Sequence, residues 1–420
     1  MASSAWQILP VLATACVHRP ARSRSRETTG HLSVEPLGPV VVAPAPFKGA
    51  LSAAGAAGAI AAGVRLAVAG VETRIVPVAD GGEGTLDALV AAREGQVRGV
   101  VAADPLGRAT SAEIGLLPGG TAVVELARAS GYERLTDTER DPEATSTFGT
   151  GQLIRAALDF EPQRIIVTVG GSATNDGGLG LARALGARLL DRTGAALDGV
   201  GADLARVAKI DLTGLDPRLV DVTIDVACDV RNPFHGPDGA AHVFGPQKGA
   251  DAATVDRLDR GLANLADVLR ALTGIDVQAI PGAGAAGGAA GGMVALLGAR
   301  IVPGADLVLD AVRLAEALEG ASLCITGEGR LDEQTLEGKA LAAVAAMCRD
   351  SGVPCVGVCG ELRLPPVLVR RMGMVAALPI RRELGPLDAA LAATETDLAA
   401  MGAALGGLLA GFRSTGHRET

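Results

Sequence analysis

From Pro39 onward the chain repeats one pattern: a short apolar, β-branched run, a polar loop rich in glycine, then a stretch dominated by Ala and Leu. Short apolar runs bounded by Gly or Pro read as buried strands, and the longer Ala/Leu stretches read as helices. Pro39–Ala43 is thus a predicted strand leading into Phe47-Lys48-Gly49 and a helix to about Arg65. Thr73–Val78 leads into Asp80-Gly81-Gly82-Glu83-Gly84 and a helix to about Glu94. Arg164–Val169 leads into the loop Gly170–Gly178 and a helix to about Leu190. Val222–Cys228 leads into Asp229 and a long loop that ends at Gly245-Pro246-Gln247-Lys248-Gly249. Ser322–Thr326 leads into the loop Gly327–Lys339 and a helix to about Arg349. Strands alternating with helices at this spacing predict βαβ units, an α/β fold of open, mostly parallel sheets. Ligands of such sheets sit beyond the carboxyl ends of the strands, so chemistry is sought in these five loops.

Length divides the molecule further. Single cores stop growing near ~250–300 residues, so 420 residues predict two domains. The first 38 residues, crowded with Ser, Arg, Pro and Thr, stand apart. They lack the basic lead of a signal peptide and read as a disordered extension, consistent with a start codon assigned too far upstream.

Composition narrows the function classes. Aromatic residues are only 2% of the chain against 48% hydrophobic, so the core must be built from closely packed Ala, Val, Leu and Ile. A net charge of −9, with no basic block after residue 30, argues against a nucleic-acid partner. Mean hydropathy is +0.32, yet the uncharged stretch Ala279–Ala299, which lies in the longest such run, is too rich in glycine for a membrane span and is closed by Arg300. It reads as a glycine-rich loop followed by a buried helix. The six cysteines show no Cys-x-x-Cys pair and read as buried free thiols of a cytoplasmic protein.

Among the loops, Gly170–Gly178 (G-G-S-A-T-N-D-G-G) is the richest. Gly170 and Gly171 let backbone approach a ligand, and Ser172, Thr174 and Asn175 offer donors to phosphate or carboxylate oxygens. Asp176 could hold a cation or a hydroxyl there, or simply cap the next helix. Thr145–Gly151 is a second hydroxyl-rich helix start, in which Thr147 is a candidate ligand and plain capping competes. Asp80, at a strand end, is better placed for substrate than Glu83. Glu328 and Asp332, beside Arg330, suit Mg2+, which takes one or two protein carboxylates and keeps its waters, with a surface salt-bridge cluster as the alternative; Asp229, immediately after an apolar strand, has a similar claim. Only four of the 38 basic residues are lysines, and Lys48, Lys248 and Lys339 all lie in glycine-flanked loops where a compact charge meets phosphate. There is no Walker A loop, which excludes a P-loop NTPase. One G-x-G-x-x-G, at Gly282, Gly284 and Gly287, is a weak dinucleotide signal, and His235 and His242 are loop histidines more often bystanders than bases.

Taken in order, V-P-V-A-D-G-G-E-G-T, D-P-L-G, T-S-T-F-G-T-G-Q-L-I, G-G-S-A-T-N-D-G-G-L-G, A-L-G-A, A-C-D-V-R-N-P, F-G-P-Q-K-G-A, P-G-A-G-A-A-G-G and I-T-G-E-G-R-L-D-E-Q-T-L-E-G-K resemble the bacterial glycerate kinase family of the glycerate 2-kinase type. They span roughly Pro39 to Gly360. The resemblance implies ATP-dependent phosphorylation of D-glycerate on the 2-hydroxyl with Mg2+. It also implies a flavodoxin/Rossmann-like domain of residues 39–105 and 285–413 around an inserted α/β domain of residues 106–284. A disordered tail would follow from 414 to 420, and the site would lie in the cleft of the two domains. Under this reading Lys48 and Lys248 meet phosphate or carboxylate oxygens, and Asp80 or Asp229 orients the attacking hydroxyl. Glu328 and Asp332 hold Mg2+, while the loop Gly170–Gly178, with Thr147, Arg330 and Lys339, binds anionic groups. Partners are small molecules, without nucleic acid or membrane, and any assembly would be a homodimer. Where the family usually reads A-P-D-S-F-K-G-S, this chain has Ala45, Pro46 and Ala50 in place of a carboxylate and hydroxyls. That departure motivates a competing reading: a degenerate kinase fold that senses glycerate or nucleotide, or a kinase for another small hydroxy acid.

Overall fold

The computed structural model describes residues 37–47, 49–79, 82, 84–336, 340–380 and 387–415. Strands β1 (Val40–Pro44), β2 (Thr73–Ile75), β3 (Gln96–Ala103), β4 (Ala109–Leu117), β5 (Thr121–Glu125) and β6 (Arg164–Thr168) come first in the chain. There follow β7 (Arg188–Leu190), β8 (Lys209–Asp211), β9 (Thr223–Ala227), β10 (Arg300–Val302), β11 (Leu323–Leu331), β12 (Cys355–Leu362) and β13 (Ala376–Pro379). The chain falls into two compact units: Met1–Val76 with Arg313–Thr420, and Pro77–Val312.

In the first unit five strands pair in the order β13-β12-β11-β1-β2, all parallel. Strand alternation sends Val40, Val42, Leu323, Ile325, Val356 and Val358 into one core with Ile60, Leu398 and Leu405 of the helices Ala53–Ala67 and Leu387–Thr415. Those helices approach closely because glycines stand at the crossing: a Cβ at Gly63 would overlap the Ala399 carbonyl, and one at Gly402 the Ile60 carbonyl. Backbone contact of this kind replaces the bulk that aromatic side chains supply elsewhere. Ser52 caps the helix Ala53–Ala67 by accepting from the Gly55 amide at 3.1 Å.

The second unit carries a six-stranded sheet in the order β10-β9-β6-β5-β4-β3, in which β10, β9, β6 and β5 are parallel and β4 runs antiparallel to both neighbours. A separate antiparallel pair joins β7 to β8. One core lies about Ile114, Val124, Ile165, Val167 and Met293; another lies under the helix Ala252–Thr273, whose Val255, Leu258, Leu262, Leu265 and Leu269 form a helical stripe.

The α/β class and the mostly parallel sheets agree with the expectation from sequence, and several details differ. The unit boundaries fall after Val76 and Val312, not after 105 and 284. The reason is pairing: the hairpin β3–β4 extends the inserted unit's sheet through β5, and β10 joins it through β9. The helix expected to reach Leu190 ends at Ala184, where Gly186 (φ +109°) turns the chain into β7. Strand β11 runs on to Leu331, because Arg330 and Leu331 stay in register with Glu361 and Leu362 of β12. The final helix continues to Thr415, into the stretch expected as a tail. The extension expected over residues 1–38 lies outside the described residues as far as 36. Cys228, Cys324, Cys348, Cys355 and Cys359 are free and buried, as expected. No helix among the described residues is long and apolar enough to cross a membrane.

Candidate active site

The loop after β6 is held by its neighbours through glycine contacts. Gly171, Gly177 and Gly178 take positive φ, and a Cβ at Gly177 would strike Leu265 of the long helix. The run Pro281–Gly288 explains its own composition here: a Cβ at Gly287 would overlap the Thr174 carbonyl, and the Gly177 amide donates to the Gly287 carbonyl at 3.0 Å. The G-x-G-x-x-G is therefore a packing surface for the neighbouring loop. It follows a 3-10 turn, Val277–Ala279, and not the strand a dinucleotide site requires. The helix it leads into, Ala289–Leu297, is buried, as read from the sequence.

Asp176 is fully buried. Its carboxylate accepts from the Thr147 amide and hydroxyl, both at 2.7 Å, and from the amides of Gly178 (3.0 Å) and Gly180 (3.3 Å). Burial pushes its carboxyl above the ordinary range, and those four hydrogen bonds pull the other way. Thr147 in turn accepts from the Leu181 amide at 2.9 Å. The first amides of the six-residue helix Leu179–Ala184 are thus already taken by Asp176 and Thr147. The open helix end read from sequence as an anion cradle is filled from within, and these two residues fasten the loop.

Lys248 closes the arrangement. It lies on the 3-10 turn Pro246–Lys248, is 2% exposed, and donates to the Ser172 hydroxyl at 2.9 Å and the Thr174 carbonyl at 2.6 Å. Burial pushes its ammonium down to about 7, against the opposing pull of Asp176. Beside it, Asn175 is wholly buried with neither its amide nitrogen nor its oxygen partnered, and the Thr174 hydroxyl is unpartnered too. Buried polar groups normally find partners, so an amide with both ends unmet, next to a buried lysine, makes this cluster the candidate ligand-binding point. The structure thus brings Lys248 together with Ser172 and Thr174, which the sequence offered as separate candidates in two loops, with Asn175 next in the chain.

The remaining candidates fare differently. One oxygen of Asp229 accepts from the Gly304 amide at 2.8 Å and the Ala305 amide at 3.3 Å, anchoring the helix Gly304–Ala311. Glu328, near the carboxyl end of β11, accepts from the Thr335 hydroxyl at 2.8 Å, and that hydroxyl accepts from the Asp332 amide at 3.3 Å. Two carboxylates and a hydroxyl on one turn are hard oxygen donors of the kind Mg2+ takes. Arg330 instead points to solvent and pairs with Glu361 at 2.9 Å, the surface ion pair that the same loop could equally have supplied. Lys48, Asp80 and Lys339 lie outside the described residues. His235 is tied by its backbone to Gln278, and His242 lies 3.5 Å from Asp259.

Glu125 escaped the reading from sequence. It ends β5, is buried, and accepts from the Gly84 and Leu86 amides at 3.1 Å each, fixing the start of the helix Thr85–Ala92 directly after the loop that holds Asp80. Burial holds its carboxyl above the usual range, with the two amides acting against it. Its signal was available: an acidic residue closing an otherwise apolar strand.

Known proteins bear on this geometry. The model of the glycerate kinase family matches residues 40–410. A glycerate kinase of Halalkalibacterium halodurans is 43% identical over 84% of this chain and 93% of its own, and the glycerate 2-kinase of Escherichia coli K12 is 42% identical over 84% and 92%. A crystal structure from Salmonella typhimurium LT2, described as a candidate glycerate kinase 2, superposes with a TM-score of 0.83 at 38% identity, covering 90% of this chain and all of the other. With the family model spanning both units, and so including the buried lysine cluster and the Glu328 turn alike, the chain belongs to the glycerate kinase family.

Proposed function

We propose that this chain transfers the terminal phosphoryl group of ATP, with Mg2+, to the 2-hydroxyl of D-glycerate, giving 2-phosphoglycerate. The observation that carries the reading is the buried Lys248 beside the unpartnered Asn175. Each unmet buried polar group costs about 1–3 kcal/mol, a cost that an anionic, hydroxyl-bearing ligand would recover on binding. The names of the Halalkalibacterium and Escherichia relatives supply the substrate class, and the Escherichia name supports the 2-position.

Phosphoryl transfer needs positioning and charge neutralisation more than covalent help from the protein. In this assignment Lys248 neutralises a phosphate or carboxylate oxygen, and Asn175 donates to one ligand oxygen while accepting from a hydroxyl. The Thr174 hydroxyl and the Gly170-Gly171 backbone complete the anion contacts, with Ser172 keeping the ammonium aimed. Asp176 and Thr147 hold the loop. Glu328 and Asp332 would hold Mg2+, directly or through water, and the ion would supply neutralisation of phosphate charge. Asp229 or Asp80 orients the attacking hydroxyl, and Lys48 and Lys339 supply further positive charge. Arg330 is left to its surface pair.

The test is ADP release by purified protein supplied with ATP and Mg2+, with and without D-glycerate. The kinase reading expects release that depends on D-glycerate. Thermal stabilisation by glycerate or nucleotide without any ADP would instead favour the sensor reading, which the Ala45, Pro46 and Ala50 substitutions motivate.

A further inference from the structure

Strand alternation in the first unit leaves one face of its sheet to the helix Ala340–Asp350. Val40, Val42, Leu323, Ile325 and Val356 point into the core under the other two helices, so Val41, Cys324 and Cys355 point the opposite way. The parallel register sets Cys324 directly opposite Cys355. The buried stripe of the helix runs Leu341, Val344, Ala345, Cys348, and its last member comes down on that pair. All three cysteines have no exposed surface, and their sulfurs lie within 4.8 Å of one another. Among the described residues this is where three metal-ligating side chains converge. The leading influences on each thiol are the other two sulfurs and burial, with no charged side chain among them.

We propose that Cys324, Cys348 and Cys355 form a trithiol pocket for one trivalent arsenic of the arsenous acid class. Three arsenic–oxygen bonds break and three arsenic–sulfur bonds form. Each thiol proton leaves with a hydroxide as water, and no atom changes oxidation state. Three features of the site select this ligand. Bonds to sulfur of about 2.3 Å would place three sulfurs around one pyramidal centre roughly 3.5 Å apart, which sulfurs within 4.8 Å of one another reach by an inward shift. Sulfur donors favour soft, thiophilic centres. Charge then decides among those centres. A divalent ion on three thiolates leaves a net negative charge among fully buried sulfurs that no charged side chain influences, and structural zinc also wants a fourth ligand. A trivalent centre on three thiolates is neutral and needs no fourth. The pocket is closed in the folded state, so entry runs through local opening of the helix Ala340–Asp350. The inference uses only this unit's thiols and stands apart from the kinase reading.

The test uses the full chain, kept reduced with a phosphine, incubated with arsenite and examined by native mass spectrometry and thermal melting. The expected result is one arsenic per chain, with a mass gain of one arsenic less three protons, and a raised Tm, because the folded state is the one that binds. Cys348→Ala and Cys324→Ala, checked by circular dichroism, are expected to lose affinity by roughly tenfold or more. Cys348→Ser serves if the alanine variant does not fold, and Cys16→Ala, Cys228→Ala and Cys359→Ala are expected to match wild type. The proposal is overturned if wild type takes up no arsenic or if Cys348→Ala binds as well as wild type. It is equally overturned if arsenite lowers Tm, the mark of capture by the unfolded chain, or if zinc raises Tm more than arsenite does.

Discussion

The proposed function rests, at the scale of single residues, on Lys248 and Asn175. Replacing Lys248 with Ala removes a preorganised charge, and kcat for D-glycerate phosphorylation is expected to fall by about 10²–10³. A rate within about threefold of wild type would contradict the assignment. The same lysine makes stability depend on pH. Its folded value of about 7 lies below the ordinary 10.5, so between those limits the unfolded chain binds the extra proton. The burial penalty is fully present below about pH 7 and is relieved as pH climbs toward 10.5. Urea midpoints of wild type minus Lys248→Met should therefore rise across that window; a flat difference would show that the lysine is not held as described. Asn175→Leu separates stability from function, since removing two unmet polar atoms is expected to leave stability unchanged or raise it by about 1–2 kcal/mol while lowering kcat/KM at least tenfold. Loss of both together would mean the amide has a structural partner. Sequence alone singled out Lys248, because a chain that uses Arg almost everywhere displays its few lysines, and Asn175, because it is a donor in a glycine-rich loop. It could not show that Lys248 is buried, nor that Asp176 spends its oxygens on Thr147 and the backbone. Both facts depend on how Pro281–Gly288 and the turn Pro246–Lys248 come against the loop, which is long-range packing.

Elements were legible where their signal is local. The strands Val40–Pro44, Arg164–Thr168 and Thr223–Ala227 follow from apolar runs, and the helix Ala53–Ala67 from its Ala-rich stretch. The hairpin β3–β4 was missed because its pattern is weak: Val97 and Val101 are exposed, and its turn is the short Asp104–Gly107. The helix Leu179–Ala184 was overextended because nothing local marks β7 apart from Gly186. Glycine carries opposite meanings along one helix, which gives a paired test. Gly63 meets the Ala399 backbone, so Gly63→Ala is expected to destabilise by more than about 2 kcal/mol through overpacking. Gly58 is exposed in the same helix with nothing near its missing Cβ, so Gly58→Ala is expected to stabilise by about 0.5–1 kcal/mol. Equal effects, read from denaturant midpoints, would contradict the close crossing.

At the scale of the molecule, the discontinuous first unit was read from resemblance and not from periodicity. Its boundaries were misplaced because sheet membership, which decides them, is invisible until strands pair. Each unit presents one kind of group: a buried lysine beside an amide with unmet hydrogen-bonding capacity in the second, and two acidic residues, Glu328 and Asp332, joined through Thr335 in the first. Glu328→Gln and Asp332→Asn are accordingly expected to raise the Mg2+ concentration needed for half-maximal rate by about tenfold or more, with the change in KM for D-glycerate much smaller. An unchanged Mg2+ dependence would remove these residues from the metal site. The most direct test of the central claim is phosphorus NMR of the product formed from ATP, Mg2+ and D-glycerate by the purified chain. A growing 2-phosphoglycerate signal, matched by ADP, is the expected result. Signal only for 3-phosphoglycerate, or none from protein that is folded and binds ATP, would contradict it.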